Sequence, residues 1–205
     1  MVPEYWSQAV LELSTDDPLM ASLVADYSGE FLISRGTPFA TLARSIVGQQ
    51  ISVKASESIW LRVQERSGEV TPSRFCALGR DGLAGCGLSQ RKIEYLLDLA
   101  RHFDDGHLDP TAWSLLSDDE LIKALCEVRG IGRWTAEMFL IFNQLRPDVF
   151  PLDDIGLQRA VSQHYFAGDR LSRKDLASFG QRWKPWRTVA TWYLWRSLDP
   201  LPVAY

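Results

Sequence analysis

The chain has 205 residues, 46% of them hydrophobic and 23% charged, which excludes a disordered tail and supplies enough apolar residues for one generous core or two smaller lobes. A net charge of −4 excludes a protein that coats nucleic acid by bulk attraction, while leaving open a grip on a few phosphates through backbone N–H groups. No apolar run approaches the roughly 18 residues of a membrane span, and the opening MVPEYWSQ carries Glu4 where a secretory signal carries positive charge, so the expectation is a cytoplasmic protein with no membrane partner.

Helical periodicity runs from end to end, and the predicted fold class is all-α. A first helix is expected over EYWSQAVLEL and a second from about Pro18 to Tyr27. PFATLARSIVG opens a third with proline in its first turn, and SVKASESIWLRVQERSG gives a fourth that ends at Gly68. A looser stretch follows, with helix fragments at PSRFCAL and DGLAG, then a longer helix in SQRKIEYLLDLARHF capped by Ser89. His102 and His107 lie in the polar stretch that closes it and read as loop formers rather than metal ligands. Beyond them, SDDELIKALCEV begins with a capping box, Ser117 and Glu120, and places Leu121, Leu125 and Val128 on one face. It stops at RGIG, and WTAEMFLIFNQL restarts the helical period at once, so residues 117–144 read as helix, tight hairpin, helix. DDIGLQRAVSQHY, RKDLASFGQRW and PWRTVATWYLWRSL supply the remaining helices. The three cysteines, Cys76, Cys86 and Cys126, form no CxxC pair; buried thiols are expected rather than disulfides, zinc or an iron–sulfur site.

Glycine inside a helix costs about 1 kcal/mol relative to alanine, so Gly130 and Gly132 mark a break or a close approach. Gly130 alone could be a helix C-cap. Together the pair also leaves the amides at the start of the next helix accessible to a phosphate oxygen. The wider pattern favours the second use: LCEVRGIGRWTAEMFL followed by PLDDIGLQRA resembles the helix-hairpin-helix (HhH-GPD) DNA glycosylase superfamily. Within it, RSIVGQQISVKAS, GLSQRKIEYLLDLA, DVFPLDD and RWKPWRTVATWYLW are similar to the 3-methyladenine DNA glycosylase II group, in a compact form without an added N-terminal β domain.

That resemblance implies a two-lobed fold with the active site in the cleft between lobes. One lobe would span about 35–125 and the other 1–34 plus 126–205. It implies a monomer that flips alkylated purines, 3-methyladenine and related lesions, out of double-stranded DNA, and a nucleoid-associated location if the source is bacterial. The pattern of an acid followed five residues later by arginine selects Asp154, with Arg159, as the catalytic carboxylate; Asp153 is the runner-up, and either could simply cap the helix. One carboxylate suits this chemistry. A base alkylated on a ring nitrogen is already cationic and leaves without a strong acid, while an anion beside the sugar stabilises the oxocarbenium-like state. Trp134 stands where bifunctional members carry a nucleophilic lysine, which implies hydrolysis without strand cleavage.

By the same resemblance, Trp134 and Trp195 are candidates for the base pocket, with Met138 where relatives can place another aromatic, and Tyr5 and Trp6 if the first helix folds back. Trp60, Trp113, Trp183, Trp186 and Trp192 read as packing residues. Gln50 matches the wedge that fills the gap left by the flipped nucleotide. Gly130, Gly132, Arg133 and Thr135 are the hairpin candidates for DNA contact, with Arg44, Lys54, Lys184 and Arg187 as further phosphate partners. No organic cofactor or catalytic metal is implied. The backbone carbonyls of Cys126, Val128 and Ile131 are candidates for a monovalent cation, Na⁺ or K⁺, when DNA is bound. Two alternatives remain: a non-catalytic helix-hairpin-helix protein that binds DNA structures, and a glycosylase for oxidised or mismatched bases.

Overall fold

The computed structural model describes residues 2–34 and 36–198, and every described regular element is helical. They are α1 (Trp6–Asp16), α2 (Pro18–Asp26), α3 (Pro38–Gly48), α4 (Val53–Ser67), α5 (Pro72–Leu83), α6 (Gln90–Asp104), α7 (Asp118–Cys126), α8 (Arg133–Phe142), α9 (Ile155–Tyr165), α10 (Arg173–Phe179) and α11 (Arg187–Leu198). None of them is long and apolar enough to cross a membrane.

Local chemistry sets the boundaries. Asp17, Thr37, Ser52, Thr71, Ser89, Ser117 and Ser172 each accept an amide of the following first turn, which satisfies a donor the helix itself cannot. The capping box at Ser117 is complete: Ser117 Oγ accepts from the Glu120 amide and Glu120 accepts from the Ser117 amide. The two fragments expected around residues 72–85 form one element interrupted at Gly79, whose φ of +61° is not helical. The helix expected over RKDLASFGQRW stops at Phe179 and tightens into a 3₁₀ turn over Gly180–Trp183. Gly180 lies against the Phe150 ring, where a Cβ would come within 2.4 Å of a ring carbon.

The chain divides into two compact units, residues 2–34 with 140–198, and residues 36–139. The second boundary falls inside α8, not at 125/126 as expected from sequence, because the hairpin is fastened to α6: Arg129 pairs with Asp98, and Gly130 lies on the Tyr95 ring. The unit of residues 36–139 is built on a run of edge-to-face aromatics, Phe75, Phe39, Phe103, Trp113 and Phe139, with successive ring centroids 5.1 to 5.9 Å apart. The other unit packs Trp6 against Trp192 and Tyr193 where α1 meets α11, and gathers Phe150, Tyr165, Phe179 and Trp183 in a second cluster. Buried Asp17 ties that cluster to α2, accepting the Tyr165 hydroxyl at 2.8 Å and the Trp183 indole N–H at 3.2 Å. Of the three thiols, Cys86 is buried and Cys76 half-buried, whereas Cys126 at the end of α7 is exposed, contrary to expectation, because that last turn faces solvent.

Candidate active site and nucleic-acid interface

Asp154 is the N-cap of α9. Its backbone is extended (φ −76°, ψ 119°), and its Oδ1 accepts the Leu157 amide at 2.7 Å, the capping bond expected of an aspartate before a helix. The same oxygen accepts the Trp195 indole N–H from α11 at 2.8 Å. Two donors from separate helices therefore fix one carboxylate oxygen at the positive end of the α9 dipole. The group is 7% exposed. Asp153, its neighbour, has a different environment: a two-pronged ion pair with Arg173 at 2.9 and 3.2 Å on the surface.

Two residues overlooked in the sequence complete the support of Asp154. Phe142, the last residue of α8, stacks on Trp195 with centroids 5.7 Å apart and planes at 12°, holding the indole in the orientation its hydrogen bond requires. Gly156, the second residue of α9, leaves room for both partners: a Cβ there would sit 3.1 Å from Asp154 Oδ1 and 3.2 Å from Trp195 Cδ1. A glycine in the first turn of LDDIGLQRAV, where helix propensity disfavours it, was the available signal. Trp195→Phe should keep the stack and remove the donor. If the chain has the base-releasing activity that the sequence resemblance implies, that activity should be about tenfold slower in single-turnover assays, with a melting temperature within a few degrees of the parent.

The other pocket candidates separate. Trp134 is 36% exposed near the start of α8. Met138 is buried at 5%, on a stretch of α8 in which residues 135–140 are all interior. Trp6, also 5% exposed, is a core residue against Trp192 and Tyr193. Tyr5 donates its hydroxyl to the Leu145 carbonyl at 2.7 Å and stacks on Trp186, so it clasps the N-terminal helix. Met138, Trp6 and Tyr5 thus all make packing contacts within the fold.

In the hairpin, the Ile131 amide bonds the Val128 carbonyl at 3.1 Å, closing a turn in which Gly130 has φ +88°. A Cβ on Gly130 would lie 2.2 Å from Cδ2 of Tyr95, so the backbone rests on that ring as no other residue type allows. Gly132 differs: a Cβ there would meet nothing within 4 Å, which leaves the approach to the first turn of α8 open. That turn presents amides without acceptors inside the helix, at the positive end of its dipole. Thr135 is buried, so its side chain packs inward and only its amide can serve this face.

Most of the basic candidates are already engaged. Arg133 bonds Glu137 at 2.9 Å and Asp119 at 3.3 Å, and Arg44 pairs with Glu57. Arg187 makes a half-buried bidentate pair with Asp148 and also donates to its backbone carbonyl, which makes it a structural clamp instead of a phosphate contact. Lys54, in the first turn of α4, and Lys184 are exposed, and neither has a carboxylate within 4.0 Å among the described residues.

Gln50 lies in the turn between α3 and α4, exposed, with φ +60°. A left-handed backbone at a non-glycine residue costs on the order of 1 kcal/mol and is retained only where its surroundings over-determine it. Here Gln49 sends its side-chain N–H to the Gly130 carbonyl at 2.8 Å, and Lys92 donates to the Val47 and Gln49 carbonyls. The turn bearing Gln50 and the hairpin turn are thus bonded to each other, a link that GQQIS concealed because nothing in it separates the roles of its two glutamines.

Known proteins share this arrangement of helices and sequence. Residues 43–186 match the family model described as the HhH-GPD superfamily base excision DNA repair protein. DNA-3-methyladenine glycosylase 1 of Schizosaccharomyces pombe is 32% identical over 183 residues, covering 87% of this chain and 80% of the relative. A DNA-3-methyladenine glycosylase of Bacillus subtilis is 28% identical over 199 residues, covering 91% of this chain, which spans only 66% of that relative's length. Among solved structures, a DNA-3-methyladenine glycosidase from Bacillus halodurans superposes with a TM-score of 0.83 at 34% identity, covering 92% of this chain and 87% of that one. The S. pombe 3-methyladenine DNA glycosylase in complex with abasic DNA superposes at 0.79 and 30%, with 95% and 98% covered. With its paired helices, its glycine turn and a family match across most of its length, the chain belongs to the HhH-GPD superfamily of base excision DNA repair proteins.

Proposed function

We infer that this chain is a DNA glycosylase that hydrolyses the N-glycosidic bond of alkylated purines, 3-methyladenine among them, in duplex DNA and leaves an abasic site. The observation that carries the reading is the fixed carboxylate of Asp154, held at a helix N-terminus by the Leu157 amide and the Trp195 indole. The names of the relatives support the substrate class, and the abasic-DNA complex of the S. pombe protein supports DNA as the partner.

The chemistry follows from the charges. A nucleotide whose purine is alkylated on N3 or N7 is cationic; as its bond to C1′ breaks, the base takes the bonding pair and leaves neutral, and the positive charge moves to the sugar. Asp154 stabilises that charge and directs a water to C1′, and the proton the water loses passes to the carboxylate or to solvent. Trp134, in place of a lysine, has no amine to trap the sugar as a Schiff base, so the reaction ends at hydrolysis; we propose that the enzyme acts as a monomer. Gly132 and the amides that open α8 grip the backbone phosphate, and Gln50 fills the gap in the stack. The carbonyls of Cys126, Val128 and Ile131 are neutral oxygen donors that suit a monovalent cation. Val128 already accepts the Ile131 amide, but a carbonyl oxygen keeps a second lone pair. When bound, such an ion would supply positive charge facing the phosphate.

Single-turnover incubation with duplex DNA containing methylated purines tests the reading. Released base should appear by chromatography, and strand breaks only after alkali. Tight binding without base release would make the protein a DNA-structure binder, and breaks without alkali would make it a lyase.

A further inference from the structure

One face of α6 carries three residues at successive spacings of three, each fastened either to the α3–α4 turn or to the hairpin turn. Lys92 extends Nζ to the carbonyls of Val47 and Gln49, at 2.7 and 2.8 Å. These close the C-terminal end of α3, where helix carbonyls lack partners and a cation is favoured. The amine is partly buried, and burial lowers its pKa from the ordinary lysine value. Tyr95 lies under Gly130. Asp98 accepts the Arg129 amide at 2.9 Å and its guanidinium at 3.0 Å. Residues three apart on a helix share a face, so a single rigid rod sets the position of both turns, and Gln49 bridges them through the Gly130 carbonyl.

We propose that Lys92 and Gln49 are positioning residues for base flipping: they hold Gln50 in its left-handed conformation at a set distance from the hairpin, so that the side chain is poised before DNA arrives. This rests on the reading of Gln50 as the wedge. A helix cap alone would predict an effect on stability only. A poised wedge is pre-organised, so its ordering cost is met during folding and the flipped state is more populated.

The test uses the intact chain and a duplex carrying 2-aminopurine next to a tetrahydrofuran abasic-site analogue, whose fluorescence reports unstacking independently of base release. Lys92→Met and Gln49→Ala should each lower the unstacking constant about five- to tenfold, and Lys92→Arg, which can still donate to two carbonyls, should recover at least half of the signal. In a Gln50→Ala background, Lys92→Met should add less than a twofold effect. Full unstacking by Lys92→Met, or the same loss with and without Gln50, would overturn the proposal. If Lys92→Met fails to fold, Gln49→Ala decides by the same two comparisons. Unstacking without release of methylated base from a lesion duplex would instead defeat the glycosylase reading and leave the positioning role standing.

Discussion

Replacing Asp154 with asparagine should lower single-turnover base release about 10³-fold, on the order of 4 kcal/mol, while the folded protein and its hold on abasic duplex survive. The separation arises because the residue has two roles that asparagine divides. Asparagine caps a helix about as well as aspartate, and its carbonyl oxygen can still accept the Leu157 amide and the Trp195 indole, so the loss of charge at the α9 terminus costs only about 0.5 kcal/mol. For a protein of this size that is roughly 1–2 °C in melting temperature. The anion facing the sugar is gone entirely. Normal turnover by this variant would remove the catalytic assignment, and a large fall in melting temperature would mean that capping, and not chemistry, is what the charge provides.

Gly130→Ala should be the most damaging single methyl group in the hairpin. Alanine resists a φ of +88°, and its Cβ would penetrate the Tyr95 ring at 2.2 Å, so either the ring or the turn must move. The sum is about 3 kcal/mol, which corresponds to roughly 6–12 °C by thermal denaturation. Tyr95→Ala in the same chain should recover part of that loss by emptying the space. Gly132→Ala is the matched control: its methyl group meets nothing within 4 Å, so the fold should tolerate it, and weaker DNA binding would come only from obstruction of the amides. Equal melting temperatures for the two alanine variants would refute the distinction between a glycine that packs and one that exposes.

Helix periodicity, capping residues and glycine stops are local, and these were legible: Ser117 with Glu120, Pro38 and Gly68 set boundaries that need no knowledge of the rest of the chain. The pair Asp153 and Asp154 was legible as a helix start, but adjacent residues left open which of the two caps α9, and the family pattern, not local chemistry, singled out Asp154. What supports it was not legible. Trp195 lies 41 residues away, and the stack of Phe142 on its ring depends on how α8 meets α11. Trp6 and Met138 show why type alone is a weak guide: an aromatic or a thioether fits a pocket or a core equally well, and both are buried here. The basic residues were the least legible. Whether an arginine is available depends on a carboxylate that can come from anywhere, as Asp148 does for Arg187 and Asp98 for Arg129.

The arginines flanking the hairpin glycines have a consequence for how such a protein travels. Arg129 and Arg133 are each neutralised by the protein's own carboxylates, so a phosphate seated on the α8 amides displaces few condensed counterions through them. On the proposed DNA-binding reading, undamaged duplex should then be held loosely, with an affinity that changes little with ionic strength. Lesion search would then be a sequence of brief samplings, in which dwell time comes from extrusion of a damaged nucleotide and not from residence on the polyanion.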